Sequence, residues 1–272
     1  LLPPSFLHTP LWIYFHENQM GYPLDKDSPT FKRDEDIQKH IIPSFHLNQV
    51  LCGDKLIFNS NFTRENTFNC LSDFINSRSD NTSFLNLDSL KENSLVIPVG
   101  TSPSPLKQQT AWISRPKRIL WNHRWEYDKG PKEFFSLFEV LIREDPTLSL
   151  SLLGENNRDK SGIFSHFKSR YHNNIHHFGF IESKDQYWKE LDLCRVLPVT
   201  SIHDFLGLSL LEAIEAGVIP LLPDRLVYPE LIPSELHSKL IYLEFEELKD
   251  KTLSLLNSGL SPKEWEHLKD HL

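Results

Sequence analysis

At 272 residues the chain is long enough for two domains of about 100–150 residues each. Its 39% hydrophobic and 24% charged residues are the makeup of a soluble globular protein, and no run approaches the roughly 18 apolar residues of a membrane span. A net charge of −8 is the wrong sign for gripping long stretches of phosphate backbone, so a nucleic-acid partner would have to be met at one local patch.

The first clear strand is 11–15, short, apolar and aromatic, and it closes in the polar run His16-Glu-Asn-Gln19. Residues 36–51 read as a helix and 55–59 as a buried strand. Ser60 or Asn61 then caps a helix through the sixties and early seventies. Residues 78–93 are rich in Ser, Asn and Asp and read as a loop with a helical turn, and 94–98 as a short strand. The Gly-Thr-Ser-Pro-Ser-Pro stretch at 100–105 is the best linker signal, and it puts a domain boundary between 100 and 117. We divide the chain at 1–106 and 107–272.

After the linker, strands and helices alternate. Strands are expected at 118–122, 148–153, 174–180, 196–200, 218–222 and 239–243. Helices are expected at 131–143, 160–171, 184–193 and 208–215, from near 245, and at 262–271. Pro131 suits a first helical turn, and Phe134, Phe135 and Phe138 fall on its apolar stripe. This alternation implies a parallel sheet covered on both faces, with ligands at the carboxyl ends of the strands.

Three cysteines, Cys52, Cys70 and Cys194, form neither a CxxC pair nor an even framework, and no secretory leader stands at the front. Both observations fit a reducing, cytoplasmic compartment. Asn61-Phe-Thr63 and Asn81-Thr-Ser83 match the glycosylation pattern, which has no meaning there. Dinucleotide, P-loop, serine-hydrolase and Cys/His metal motifs are all missing.

Two motifs carry chemistry. In Trp121-Asn-His-Arg124-Trp-Glu-Tyr-Asp-Lys129-Gly130, Arg124 and Lys129 follow a strand and precede a helix. Two fixed cations there would stabilise a departing diphosphate by charge, as a metal does elsewhere. In Asp204-Phe-Leu-Gly-Leu-Ser-Leu-Leu-Glu212, two acids flank Gly207 at a helix start. Gly207 and Leu208 open the backbone to a phosphate or sugar. Glu212 would accept from ribose hydroxyls, and Asp204 would face the sugar unless it only caps the helix. His16, at a strand end, would bond sugar hydroxyls or steady charge at the reaction centre. His123 and His203 each precede a proposed site residue, with packing and function equally open. The basic run Lys107, Arg115, Lys117 and Arg118 reads as a solvated linker, and Trp12, Trp112 and Trp125 as core.

These residues resemble the retaining GT-B glycosyltransferases of the family 4 type: Arg124 with Lys129-Gly130, Gly154-Glu155, and the acidic pair Asp204 and Glu212. Four segments resemble more specifically the tRNA-queuosine mannosyltransferases: Tyr14-Phe-His-Glu-Asn-Gln19 with Tyr22-Pro23, Phe58-Asn-Ser60, His123 to Lys129, and Leu226-Val-Tyr-Pro-Glu230. The resemblance implies an α/β fold of two Rossmann-like domains facing across a cleft, an acceptor side in 1–106 and a donor side in 107–272. It implies GDP-mannose as donor, the queuosine of an aspartate tRNA anticodon loop as acceptor, retention of configuration, and neither a metal nor a membrane partner. Arg124 and Lys129 would hold the diphosphate and Glu212 the ribose, while Asp204, His16, Gly207 and Leu208 would lie at the sugar. The family's first acid is usually Glu where this chain has Asp204, and its opening strand and Gly-rich turn are not found, so the first domain is expected to be incomplete. Two other readings keep the fold: a glycan or lipid acceptor, and a non-catalytic RNA-binding scaffold.

Overall fold

The computed structural model describes residues 9–24, 26, 30–78, 86–101, 103–155 and 162–272. The opening residues 1–4, the pattern at Asn81 and the helix start expected at 160 lie outside them. The chain forms two compact units, Leu1–Gly100 and Thr101–Leu272.

The first unit is built on a three-stranded parallel sheet in the order β1-β2-β3, with β1 at Trp12–Phe15, β2 at Lys55–Phe58 and β3 at Leu95–Val96. Phe15 stands opposite Phe58 in register, and their rings stack 4.8 Å apart. Helices α1 (Phe31–Asp36), α2 (Ile42–Cys52), α3 (Asn61–Asn76) and α4 (Leu87–Glu92) complete the unit. Val50 of α2 and Phe68 and Leu71 of α3 close its core against Phe15, Leu56 and Phe58. The α3 start is set as expected: the Ser60 side chain accepts from Thr63 N–H.

The helix expected from residue 36 begins earlier, at Phe31. It passes into α2 through a widened turn, Ile37–Ile41, in which Ile42 N–H reaches back five residues to Ile37. Pro43 has no N–H to give to the preceding turn, which favours such a widening. Trp12 is not core: it is 65% exposed.

In the second unit the strands are β4 (Arg118–Asn122), β5 (Ser149–Leu153), β6 (Ile175–Gly179), β7 (Val196–Pro198), β8 (Ile219–Pro223) and β9 (Ile241–Tyr242). The helices are α5 (Pro131–Glu144), α6 (Ile163–Tyr171), α7 (Lys184–Leu191), α8 (Leu208–Glu215), α9 (His237–Leu240), α10 (Phe245–Ser258) and α11 (Pro262–His271). The sheet is parallel throughout, in the order β6-β5-β4-β7-β8-β9. Every residue of β4 and of β8 is buried, which is why β8 and the middle of β4, Ile119 to Trp121, read as apolar runs. Trp121 meets Phe134 and Phe164 edge-on, Phe135 stacks on Phe167 at 4.0 Å, and Trp125 stacks on Phe164 at 4.4 Å. Trp125 is therefore core, as expected.

The strand order reverses between β4 and β7, so the loops leaving these two strands diverge and open a crevice at their carboxyl ends. The segment expected as a strand at 239–243 is one only at its middle: Lys239 and Leu240 end α9, and Ile241 and Tyr242 form β9. A tight turn at Ser234–Leu236 runs straight into α9, and Ile241 is the first residue to pair with β8.

Of the basic run read as a solvated linker, Lys107 is exposed and Lys117 half-buried, but Arg115 and Arg118 are buried. Arg115 is only 3% exposed, and its five donors reach Thr110 O, Cys194 O, Gly217 O, Ala216 O and Asp192 Oδ1 at 2.9–3.1 Å. A planar guanidinium fork fits such a ring of carbonyls where an ammonium would not. Arg118 is buried against Ser149 and Glu190. Trp112 lies under the Arg195 guanidinium at 4.7 Å, and Arg195 bonds the Arg115 carbonyl in turn. Gln109 and Thr110 bond Glu215 O and Asp192, so the segment ahead of β4 is fastened to this unit. Among the described residues no helix is long and apolar enough to cross a membrane.

Candidate functional site

An open cleft of about 410 Å³ lies at the carboxyl edge of the second unit's sheet. The end of β4 supplies Asn122, His123 and Arg124, the end of β5 supplies Leu153, Gly154 and Glu155, and the segment after β6 supplies Phe180, Ile181 and Glu182. Lys184 and Tyr187 of α7 and Glu212 of α8 form the opposite wall. Gly154 lets the first two walls meet. An added Cβ there would stand 2.0 Å from the His123 carbonyl, and its φ is +137°.

Two of the expected residues, Arg124 and Glu212, meet in this cleft. The Arg124 side chain is 63% exposed and pairs with Glu126 at 3.5 Å. Glu212 Oε2 accepts from Tyr187 O–H at 3.0 Å, and its Oε1 lies 3.9 Å from Lys184 Nζ. Asn122 donates to the same Tyr187 hydroxyl and to the Ser209 carbonyl. The Glu212 carboxylate is thus held in place rather than solvated. Burial, and then Glu212 itself, push the Tyr187 phenol well above its ordinary range, so it stays a donor.

Lys129 and Asp204 meet in a second, buried cluster. Lys129 ends a tight turn, Tyr127–Lys129, directly after β4. Its ammonium donates to the His203 carbonyl at 2.9 Å and pairs with Asp204 Oδ2 at 3.4 Å and Asp128 Oδ2 at 3.3 Å. Gly130 is required next: its φ is +64°, and a Cβ would meet the Thr200 carbonyl at 2.2 Å. Thr200 then binds Lys129 O and Gly130 O through its hydroxyl, tying the β4 and β7 loops together.

Asp204 turns back onto its own loop. Its Oδ1 accepts from Phe205 N–H at 2.9 Å and Gly207 N–H at 3.1 Å, and its Oδ2 accepts from Tyr228 O–H at 3.2 Å. Burial pushes this carboxyl up, but Lys129, His123 and the loop amides outweigh it and hold it below the usual carboxylate range. Gly207, at φ +74°, opens α8, and Leu208 is its half-exposed first residue. His16 belongs to the first unit, where it is exposed at the end of β1; its carbonyl accepts from Asn59 and its ring lies 4.7 Å from Tyr14.

Sequence reasoning missed Asn122, Tyr187, Asp128 and Tyr228. Asp128 was visible as an acid beside Lys129, but nothing local marks its complete burial. Phe180 and Ile181, after Gly179, were visible only as the end of an apolar strand.

A family model described as "tRNA-queuosine alpha-mannosyltransferase N-terminal" matches residues 1–101, and one described as "Glycosyl transferases group 1" matches 104–268. The tRNA-queuosine alpha-mannosyltransferase of Drosophila melanogaster is 27% identical over 239 residues, covering 82% of this chain and 59% of that protein. The chain therefore spans less than two thirds of that relative. Among solved structures, TarM superposes with a TM-score of 0.63 at 17% identity, over 96% of this chain and 46% of that one. A UDP-forming α,α-trehalose-phosphate synthase from Burkholderia xenovorans gives 0.66 at 14% identity, over 98% and 64%. Anabaena HepE, in complex with UDP and glucose, gives 0.60 at 17%, over 96% and 65%. Such identities speak to fold alone, which is α/β of the GT-B type. The chain belongs to the group 1 glycosyl transferases, whose family model spans residues 104–268 of it.

Proposed function

We propose that the protein transfers mannose from GDP-mannose to the queuosine nucleoside at the wobble position of the tRNA for aspartate, with retention of configuration. The match of residues 1–101 to the N-terminal model of tRNA-queuosine alpha-mannosyltransferases carries this reading, because the first unit is the expected acceptor side. The cleft supports it from the donor side.

In this reading Arg124 takes the diphosphate, with Lys129 behind it, and charge stabilises the leaving group without a metal. Glu212, braced by Tyr187, accepts from the ribose hydroxyls. The α8 start at Gly207 and Leu208 is assigned to the phosphate or sugar, with the Gly207 N–H itself already donated to Asp204. Asp204 reaches the sugar only if it leaves its loop bonds, and His16 is assigned to the sugar from the acceptor side. Phe180 and Ile181 provide the apolar surface on which a base would lie.

The test is mannose transfer from labelled GDP-mannose to queuosine-containing tRNA by the full-length protein, with chelator present. Label in tRNA, lost in Arg124→Ala, is the expected result. Donor binding that needs Arg124 without transfer to tRNA would instead favour a glycan or lipid acceptor. Absence of both would leave a non-catalytic scaffold.

A further inference from the structure

The cations of the diphosphate site are already engaged before any ligand arrives. Lys129 faces two carboxylates, those of Asp128 and Asp204, within 3.4 Å. Asp128 is fully buried and neither of its oxygens accepts a hydrogen bond, so among the described residues Lys129 is the cation that faces it. With neutral imidazoles this cluster carries a net charge of −1. Arg124, on the cleft wall above, is itself paired with Glu126. A sugar-nucleotide diphosphate adds two negative charges to this arrangement. Anions bind poorly where the local balance is already negative, unless a further positive charge appears.

One group stands where that charge is needed. His123 lies between Trp121 and Arg124 on the exit of β4 and lines the cleft. It is buried, its ring meets Trp121 edge-on at 5.4 Å, and its Nε2 has no hydrogen-bond partner. A buried ring nitrogen without a partner is costly and uncommon, and marks a place where something is still to be bound. Burial, and next the charge of Lys129, hold the imidazole down to about 4 against the pull of Asp204, so it is neutral at pH 7 in the free protein. A nearby diphosphate acts in the same direction as Asp204 and opposes both of the other influences.

Resting on the donor assignment above, we propose that His123 takes up a proton as the sugar nucleotide binds and so becomes an additional cation of the diphosphate site. The charged and titratable groups around it come from six elements, the far wall being formed by α7 and α8. The β4 loop carries Arg124, Asp128 and Lys129, and the β5 loop carries Glu155. The β7 loop carries His203 and Asp204, the turn after β8 carries Tyr228, and the far wall carries Lys184 and Glu212. Near neutrality Asp204 is already ionised and Tyr228 is held protonated by its burial. His203 is the one other imidazole. It is assigned no uptake, because its carbonyl and ring back Lys129 and it does not line the cleft.

Calorimetric titration of the full-length protein with GDP-mannose tests this. The ligand is a diphosphate diester with no group of its own titrating near neutrality. Titrations at pH 7 in two buffers of different ionisation heat count the protons exchanged. The expected result is uptake of about one half to one proton per nucleotide, with affinity weakening by at most about tenfold per pH unit as pH rises. The sign follows from a bound-state pKa above the free one: binding is strongest at low pH, and it becomes pH-independent again below about 4, where the free imidazole is itself charged. His123→Gln, checked for an unchanged melting temperature, should bind more weakly, without uptake and with a flat pH profile, whereas His203→Gln should keep the uptake. Wild-type binding without proton exchange overturns the proposal with no variant needed. Uptake that persists in His123→Gln, or disappears in His203→Gln, overturns the assignment to His123. Absence of any GDP-mannose binding refutes the donor assignment itself, and the proton uptake with it.

Discussion

Replacing Gly154 by alanine should unfold the second unit far more readily than the same change at Gly179, although the two glycines are neighbours bonded through Gly154 N–H and Gly179 O. Both have positive φ, +137° and +115°, so both variants carry a backbone penalty of about 1–3 kcal/mol. At Gly179 a Cβ would meet nothing within 4 Å. At Gly154 it would stand 2.0 Å from His123 O and 2.9 Å from two atoms of the Trp125 ring. Ordinary carbon-to-oxygen contact begins near 3.3 Å, so the two walls must part by more than about 1 Å. Neither obstacle yields easily: one is backbone at the exit of the central strand, and the other is an indole stacked on Phe164. Overpacking of this kind adds about 1–3 kcal/mol, which brings Gly154→Ala to roughly 2–6 kcal/mol in all. For a unit of this size each kcal/mol lowers the melting temperature by about 2–4 °C. The assay is thermal and urea unfolding of wild type and both variants, with donor binding measured alongside. Gly154→Ala should also weaken GDP-mannose binding, because the displaced His123 carbonyl carries Arg124 with it. Equal stabilities for the two alanine variants, within about 1 kcal/mol, would show that the close approach of the β4 and β5 loops is not what requires glycine at 154.

Arg115→Ala should cost about 3–5 kcal/mol in unfolding free energy, since it removes the cation paired with the buried Asp192 carboxylate and the donor to four carbonyls; a loss under 1 kcal/mol would refute the clasp. Tyr187→Phe removes a hydroxyl bonded to Glu212 and Asn122, and should change stability by no more than about 1.5 kcal/mol while raising the Kd for GDP-mannose several-fold. An unchanged Kd would mean that Glu212 needs no brace. Asp145, held down to about 2 by Lys117 and Thr147, and Glu264, held to about 2 by Lys239 and Ser261, have ordinary values of 3.8 and 4.5. Their stabilisation is therefore full above about pH 4.5 and lost as pH falls through about 2. Solvent screening limits it to about 0.5–1 kcal/mol each, and Asp145→Asn with Glu264→Gln should flatten the acid limb of a stability-against-pH curve by that amount.

The elements that could be read from the chain are those whose cause is local. Strand β4 is apolar at Ile119, Leu120 and Trp121 because both faces are covered, α5 starts where Pro131 needs no partner for a missing N–H, and α3 starts where Ser60 can cap it. Where the cause lay elsewhere in the chain the reading failed. Arg115 looked like a solvated charge because its acceptors come from residues 192–217, and Trp12 looked like core although β1 leaves it exposed. The site divides along the same line. Arg124, Lys129, Gly130 and Glu212 stand out by type and spacing, but the grouping of Arg124 with Glu212 and of Lys129 with Asp204 is set by α7, by the β7 loop and by Tyr228. Asp204 shows what the local signal was worth. An aspartate followed three residues later by glycine at a helix start is the pattern of a side chain that bonds the amides just ahead of it, and its carboxylate is short enough to reach Phe205 and Gly207. A glutamate at the same position would carry its oxygens one methylene further, beyond those amides and outward from the loop. The shorter acid therefore trades reach for a preset turn: it aligns the start of α8 and holds Lys129 from below, which leaves Arg124 as the more accessible of the two cations to an incoming diphosphate.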